Sequence, residues 1–290
     1  MAEIRTILFA SDLSPESDQA FDSARFLAER FGARLTIYHA LEMPRTEYAG
    51  WVDADDDRRA RWERQVREEL ARRTSSLTVP HELVVEGGLV GGHMLVDLAI
   101  LNVIHKTHPD LTVMATRSRK GFASFFLGSV TEQVVQHAGR PVLCVREPAH
   151  GAVLPYQRLL VTTDFSAVSR RAFPLAALMA RTFEAKVTAL HVAPAPTLAA
   201  LTGLPDAPLP RVPTDDELRR FLQPDFDGVP VEARVFTTGA PWRGIVKAAE
   251  EQRTDLIVMS TQGLDSLHDK IIGSNAERVL RHAPCPVLVV

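Results

Sequence analysis

FLGSVTEQVV (Phe126–Val135) and IIGSNAERVL (Ile271–Leu280) are two versions of one phrase, a Gly-Ser pair that opens a charged-apolar helical pattern. Their glycines, Gly128 and Gly273, lie 273 − 128 = 145 residues apart in a chain of 290. Each Ser-x-x-Glu string, Ser129 to Glu132 and Ser274 to Glu277, has the form of a capping box. In that motif the serine oxygen accepts a first-turn N–H and the glutamate reaches back. One such helix start needs no further explanation, but its repetition does.

The repetition extends outward. IRTILFASDLS (Ile4–Ser14) matches YQRLLVTTDFS (Tyr156–Ser166), and ARLTIYHA (Ala33–Ala40) matches AKVTALHV (Ala185–Val192), both at an offset of 164 − 12 = 152. DLTVMATRS (Asp110–Ser118) matches DLIVMSTQG (Asp255–Gly263), and RPVLCV (Arg140–Val145) matches CPVLVV (Cys285–Val290), both at 145. Four matched blocks in one order are an internal duplication. The strands are apolar on both sides, as in a parallel sheet covered by helices, and helical segments alternate with them. Ala20, Phe21, Ala24, Leu27, Ala28 and Phe31 recur at helical spacing between Pro15 and Gly32. Ala172, Phe173, Ala176, Met179, Ala180 and Phe183 repeat that face, with Pro174 predicted to bend the helix or weaken it. The boundary falls near REPAHGAVLPY (Arg146–Tyr156), dividing residues 1–150 from 151–290.

Composition excludes several classes. A net charge of −3 offers nucleic acid no global basic field, and no apolar run reaches the length of a membrane span. Asp12 comes too early for a signal peptide, so the expected location is the cytoplasm. Two cysteines, Cys144 and Cys285, make no disulfide framework and read as buried thiols beside strands. Arg58–Arg73 reads as a charged helix with Trp62, Val66 and Leu70 on one side. Its arginines alternate with Glu63, Glu68 and Glu69, which favours a solvated face over a nucleic-acid surface. Pro194–Pro213, with six prolines, is either a loop near a pocket or a solvent-exposed connection, the latter favoured. His93, His105 and His108 fall in or near one extended helix, and His105-x-x-His108 could place two metal ligands on one face, but no third stands in register, so a histidine favoured by the helix C-terminus is the simpler account. EGGLVGG (Glu86–Gly92) is not a dinucleotide fingerprint, and neither a Walker lysine nor a hydrolytic triad motif occurs.

In an open parallel sheet a ligand sits at the carboxyl ends of the strands, where strand order reverses. Asp12 or Asp164, His39-Ala40 or His191-Val192, and the loop leading to Gly128-Ser129 or Gly273-Ser274 should converge there. A helix start favours phosphate, and a carboxylate accepts from ribose hydroxyls. The two histidines are either pocket-edge groups or, more commonly for such residues, hydrogen-bonded structural ones.

Taken together, these blocks resemble the universal stress proteins in their tandem form, over nearly the whole chain twice. That family's pattern is Gly-x-x-Gly-x9-Gly-Ser/Thr after the fourth strand, with Asp after the first. The resemblance implies an adenine nucleotide alpha hydrolase-like fold: two three-layer αβα domains, each with a five-stranded parallel sheet. It implies ATP as ligand, with or without Mg²⁺, and a role in stress sensing or buffering. In the second half Asp164, Val192, Gly263, Gly273 and Ser274 match family positions, Ser260 replaces the first glycine, and Asn275 follows in the helix start. In the first half Asp12, Gly128 and Ser129 match and Ala40 stands where Val192 does, while Ala115 and Ser118 replace both leading glycines. If Ser118 must take φ > 0 it is costly there. Arg117, Arg119 and Lys120 either pair with phosphate or are exposed loop charges. The second half is the better site. The rival readings are an interaction scaffold without nucleotide and a slow ATP hydrolase. Each half ends in an apolar strand, PVLCV (Pro141–Val145) and PVLVV (Pro286–Val290). In the family such strands pair across a dimer, so the two halves are expected to pair within one chain as a pseudo-dimer, with homodimers as a further possibility.

Overall fold

A computed structural model describes residues 2–41, 56–86, 95–116, 127–146, 149, 154–195, 211–261 and 273–290. Ser118 and Gly263, with Arg117, Arg119, Lys120, His93 and most of the proline-rich connection, lie outside them.

The first half runs β1 (Thr6–Ala10), α1 (Pro15–Phe31), β2 (Arg34–Ala40), α2 (Asp56–Thr74), β3 (His81–Glu86), α3 (Val96–Thr107), β4 (Leu111–Ala115), α4 (Ser129–His137) and β5 (Val142–Val145). The second repeats it: β6 (Arg158–Thr162), α5 (Phe173–Phe183), β7 (Lys186–Pro194), α6 (Asp215–Leu222), β8 (Val231–Thr238), α7 (Pro241–Glu251), β9 (Leu256–Met259), α8 (Ser274–His282) and β10 (Val287–Val289). The ten strands among the described residues form one sheet, ordered β3-β2-β1-β4-β5-β10-β9-β6-β7-β8. Pairing is parallel within each half and antiparallel only at the seam, where Val287, Leu288 and Val289 face Cys144, Leu143 and Val142. The predicted pair of five-stranded parallel sheets is therefore joined through its last strands. Because the seam is antiparallel, the strand carboxyl ends of the two halves point to opposite ends of the sheet.

Side chains alternate across a strand, and the core divides accordingly. One face packs against α1, α2, α5 and α6, the other against α3, α4, α7 and α8, and each apolar layer crosses the seam. On the first face α1 meets α5: Phe26 and Phe31 lie 5.5 and 5.9 Å from the Phe183 ring, and the Tyr156 hydroxyl donates to Ser23 Oγ at 3.3 Å. Cys144 and Cys285 are buried as expected, and burial pushes both thiols up to about 12. Val66 and Leu70 are buried on α2, whereas Trp62 above them is exposed. Among the described residues no helix is long and apolar enough to cross a membrane.

Two helix readings are corrected. Pro174 neither bends nor weakens a continuous helix. A 3₁₀ turn, Ser169–Ala172, precedes α5, and the Arg170 carbonyl is used by the Phe173 N–H. Pro174 thus sits in the first turn of α5, where a missing N–H and a fixed φ do no harm. Neither capping box forms. Gly128 and Gly273 are the N-caps, Ser129 and Ser274 lie one position inside, and a glycine cap brings no side chain of its own to either helix start. The register is set by tertiary bonds: the Gly128 N–H donates to the Thr116 carbonyl at 2.9 Å, and the Gly273 N–H to Thr261 at 2.8 Å. The predicted stop at Gly32 is present at φ 63; its counterpart, Glu184, holds the same left-handed turn at φ 51 without glycine's freedom.

Candidate functional site

In each half the strand order reverses between the first and fourth strands, β1 beside β4 and β6 beside β9. The crevice past their carboxyl ends is where an open α/β sheet receives a ligand. Asp164 stands two residues beyond β6. Its Oδ1 accepts the Ser166 N–H at 2.9 Å, and Asp12 Oδ1 holds Ser14 N–H at 3.0 Å in the same way. Between each Asp and Ser sits a non-glycine in left-handed conformation, Leu13 at φ 60 and Phe165 at φ 65. Ser11 Oγ and Thr163 Oγ1 accept their N–H groups at 3.2 and 3.1 Å. Such a conformation costs about 1 kcal/mol or more, and persists only where its surroundings over-determine it. Here it fixes where the carboxylate stands.

The histidines have a tethering role. His39 Nδ1 lies 2.8 Å from the Ser11 carbonyl, and His191 Nδ1 2.8 Å from that of Thr163. A carbonyl only accepts, so Nδ1 carries the hydrogen in both. Each ring ties the second strand of its half to the turn that carries the aspartate, as the structural reading holds.

Val192 and Ala40 are buried at the corresponding place on β7 and β2. The Leu190 carbonyl accepts from Thr163, and backbone groups alternate sides along a strand. The peptide groups of Val192 therefore face the β6 side, beyond that strand's last residue, Thr162. The β7–β8 ladder continues past Val192 to Pro194 and Thr238, and the β2–β3 ladder reaches Ala40 and Glu86, the last described residue of β3. Gly244 on α7 lets the helix press on this strand. A Cβ there would come within 2.8 Å of Phe236 Cε2 and 2.9 Å of Val192 Cγ1.

The third element is the helix start. Ser260 is buried directly after β9, and Thr261 anchors Gly273 at the head of α8. Ser274 is exposed at the first helical position. Asn275 turns aside, its Oδ1 accepting the Trp242 N–H of α7 at 3.3 Å. In the first half Gly128 and Ser129 stand in the same relation to β4. The structure thus brings Asp164, Val192, Ser260, Gly273 and Ser274 to one end of the sheet, and Asp12, Ala40, Gly128 and Ser129 to the opposite end. Both N-caps have extended backbone, φ −63 and −59, which any residue can adopt. Serine, asparagine or aspartate would cap better.

Reading the sequence missed Asp110 and Asp255, which mark the opposite end of each half. Asp110 Oδ2 accepts the N–H groups of Arg5 and Thr6, each at 2.9 Å. Asp255 Oδ2 accepts those of Gln157 and Arg158 at 3.1 and 2.9 Å, and its Oδ1 pairs with the Arg158 guanidinium at 2.8 Å. They clamp the start of the fourth strand to the start of the first. Their signal was an aspartate at the same place in both DLxVM blocks. His105 Nε2 donates to the His137 carbonyl at 3.1 Å, and His108 forms the left-handed end of α3.

Comparison with known proteins agrees with the duplication. The model of the Universal stress protein family matches residues 3–146 and again residues 155–290. A universal stress protein of Methanocaldococcus jannaschii is 34% identical over 143 residues, covering 47% of this chain and 82% of that protein. One from Thermus aquaticus is 30% identical over 136 residues, covering 47% and 98%. Along the full length, the fold is similar to the crystal structure of a universal stress protein from Archaeoglobus fulgidus. The TM-score is 0.70 at 22% identity, over 98% of this chain and 97% of that one.

Proposed function

This chain belongs to the universal stress protein family, and we propose that it binds an adenine nucleotide, ATP with or without Mg²⁺, in the crevice of its C-terminal half. The observation that carries the proposal is the head of α8. A helix start with glycine as N-cap offers N–H groups and the positive end of the dipole to phosphate. Asp164, fixed on the adjacent strand's turn, suits ribose hydroxyls, and the peptide groups of Val192 suit an adenine edge. Ser260 and Gly263 complete the phosphate loop in this reading. The N-terminal crevice, with Asp12, Ala40, Ser118, Gly128 and Ser129, is a weaker or altered version of the same site. We place the division between the two units at residues 150 and 151, and we take the cytoplasm as their setting. The protein acts as a stress sensor or buffer through conformational change or partner binding, rather than as an efficient enzyme.

Calorimetric titration with ATP and Mg²⁺ tests this. The natural protein should release heat, and Gly273→Glu should abolish it. The N-cap backbone accepts glutamate, but the added carboxylate faces the phosphate. No heat from the natural protein would favour a nucleotide-free scaffold. ATP turnover that survives both Asp164→Ala and Gly273→Glu would be a contaminant's.

A further inference from the structure

The two crevices lie at opposite ends of the sheet, yet one side chain touches the helix starts of both. Glu132 and Glu277 are equivalent residues, each donating its N–H to the glycine N-cap carbonyl, at 3.0 and 3.1 Å. Each therefore places a carboxylate in the first turn of the helix that heads its crevice. Arg281, in the last turn of α8, reaches both: its Nη2 is 2.7 Å from Glu277 Oε1 and 3.3 Å across the seam from Glu132 Oε2. All three side chains are about two-thirds buried, which limits screening by solvent. Arg281 Nε is fully buried with no hydrogen-bond partner among the described residues, so its guanidinium is held by the carboxylates on one edge only. The seam is tied in the other direction by Arg146, which donates to the Leu280 and Arg281 carbonyls at 3.4 and 3.2 Å. The residue equivalent to Arg281 in the first half, 281 − 145 = 136, is Gln136, so the duplication carries this charge once.

We propose that Arg281 is a positioning residue that couples the two crevices, neutralising the first-turn carboxylate of each phosphate-facing helix with one shared guanidinium. A carboxylate in the first turn stabilises the helix but repels an incoming phosphate, and a cation beside it removes the repulsion. With one cation for two anions, whatever draws Arg281 toward Glu132 leaves Glu277 less compensated. Occupancy at the N-terminal crevice thereby alters affinity at the C-terminal one, and reciprocally. This inference rests on the nucleotide reading of the crevice.

The test is ATP–Mg²⁺ calorimetry on the full chain at low salt, with four variants. Arg281→Gln should weaken binding about two- to fivefold, the range expected for a first-turn charge, and Arg281→Lys should largely restore it. Glu277→Gln should tighten binding by a similar factor. Glu132→Gln, a change in the other half, should also tighten it, because the guanidinium then serves Glu277 alone. A merely structural ion pair would move Arg281→Gln and Glu277→Gln in the same direction, and that result overturns the proposal. So does an unchanged affinity in Glu132→Gln. If Arg281→Gln does not fold, the two glutamine variants at the carboxylates still decide the matter by sign. A natural protein that gives no heat overturns the crevice reading and the coupling together. A natural protein that binds, with Arg281→Gln binding equally well, overturns the coupling alone.

Discussion

Truncating Leu288 to alanine is expected to destabilise the whole chain, not only its C-terminal half. Leu288 on β10 and Leu143 on β5 are register partners across the antiparallel seam, and both are fully buried. They share the apolar layer that holds α1, α5, Tyr156 and Phe183. Loss of three carbons from such a leucine costs their transfer free energy plus that of the cavity left behind, about 3–5 kcal/mol where surroundings cannot collapse. Collapse is hindered because residues of α1 and α5, from both halves, belong to the same buried layer. Leu143→Ala should cost about the same. As touching residues, the two should be non-additive in the double variant by about 0.5–1 kcal/mol or more. The assay is denaturant unfolding followed by far-ultraviolet circular dichroism and by tryptophan fluorescence. Both probes should give one coincident transition, shifted together by either substitution. A loss below about 1 kcal/mol, strict additivity, or a split transition in which only the C-terminal half is weakened would refute a core continuous across the seam.

Other changes have equally definite outcomes. Asp255→Asn removes the charge from bonds to two backbone N–H groups at the base of β6. It should lower stability by about 1.5–3 kcal/mol, measured by thermal melting, and Asp110→Asn should do the same in the first half. Gly244→Ala drives a methyl against Phe236, Val192 and Thr238. It should cost about 1–3 kcal/mol and weaken nucleotide binding through the shift of Val192. His282 stacks on Trp242 at 4.8 Å, and burial, then Arg146, Arg281 and Arg243, hold its pKa below the ordinary 6.5. The unfolded chain therefore takes up this proton first, so the stability that neutral His282 contributes is complete above pH 6.5 and declines as pH falls below it. Denaturant midpoints from pH 7.5 to 5 should show that decline, and His282→Gln should flatten it.

The architecture was legible because its causes are local and were written twice. Two-sided apolar strands, the helical faces of α1 and α5, and the stop at Gly32 repeat at nearly constant offset, and apolar terminal strands announce the seam. The helix starts were misread because a Ser-x-x-Glu string does not say whether serine is the cap or the first helical residue. That was decided by a bond from Gly128 to Thr116 and from Gly273 to Thr261, contacts that periodicity cannot contain. Pro174 was misjudged likewise, since α5 begins later than α1. At the crevice, the residue types at the strand ends were readable, but not their local ties: the histidine tethers, the left-handed Leu13 and Phe165, and Asn275 turned toward Trp242. Arg281 left no repeat to find, since its counterpart is Gln136.

Nucleotide binding as proposed requires that phosphate dock on the first turn of α8. Backbone amide chemical shifts of the isotope-labelled chain, recorded with and without ATP and Mg²⁺, test it residue by residue. The largest changes are expected at Gly273, Ser274 and Asn275, accompanied by Asp164 and Val192. Saturable binding that leaves those amides unmoved, with its shifts gathered elsewhere, would contradict it.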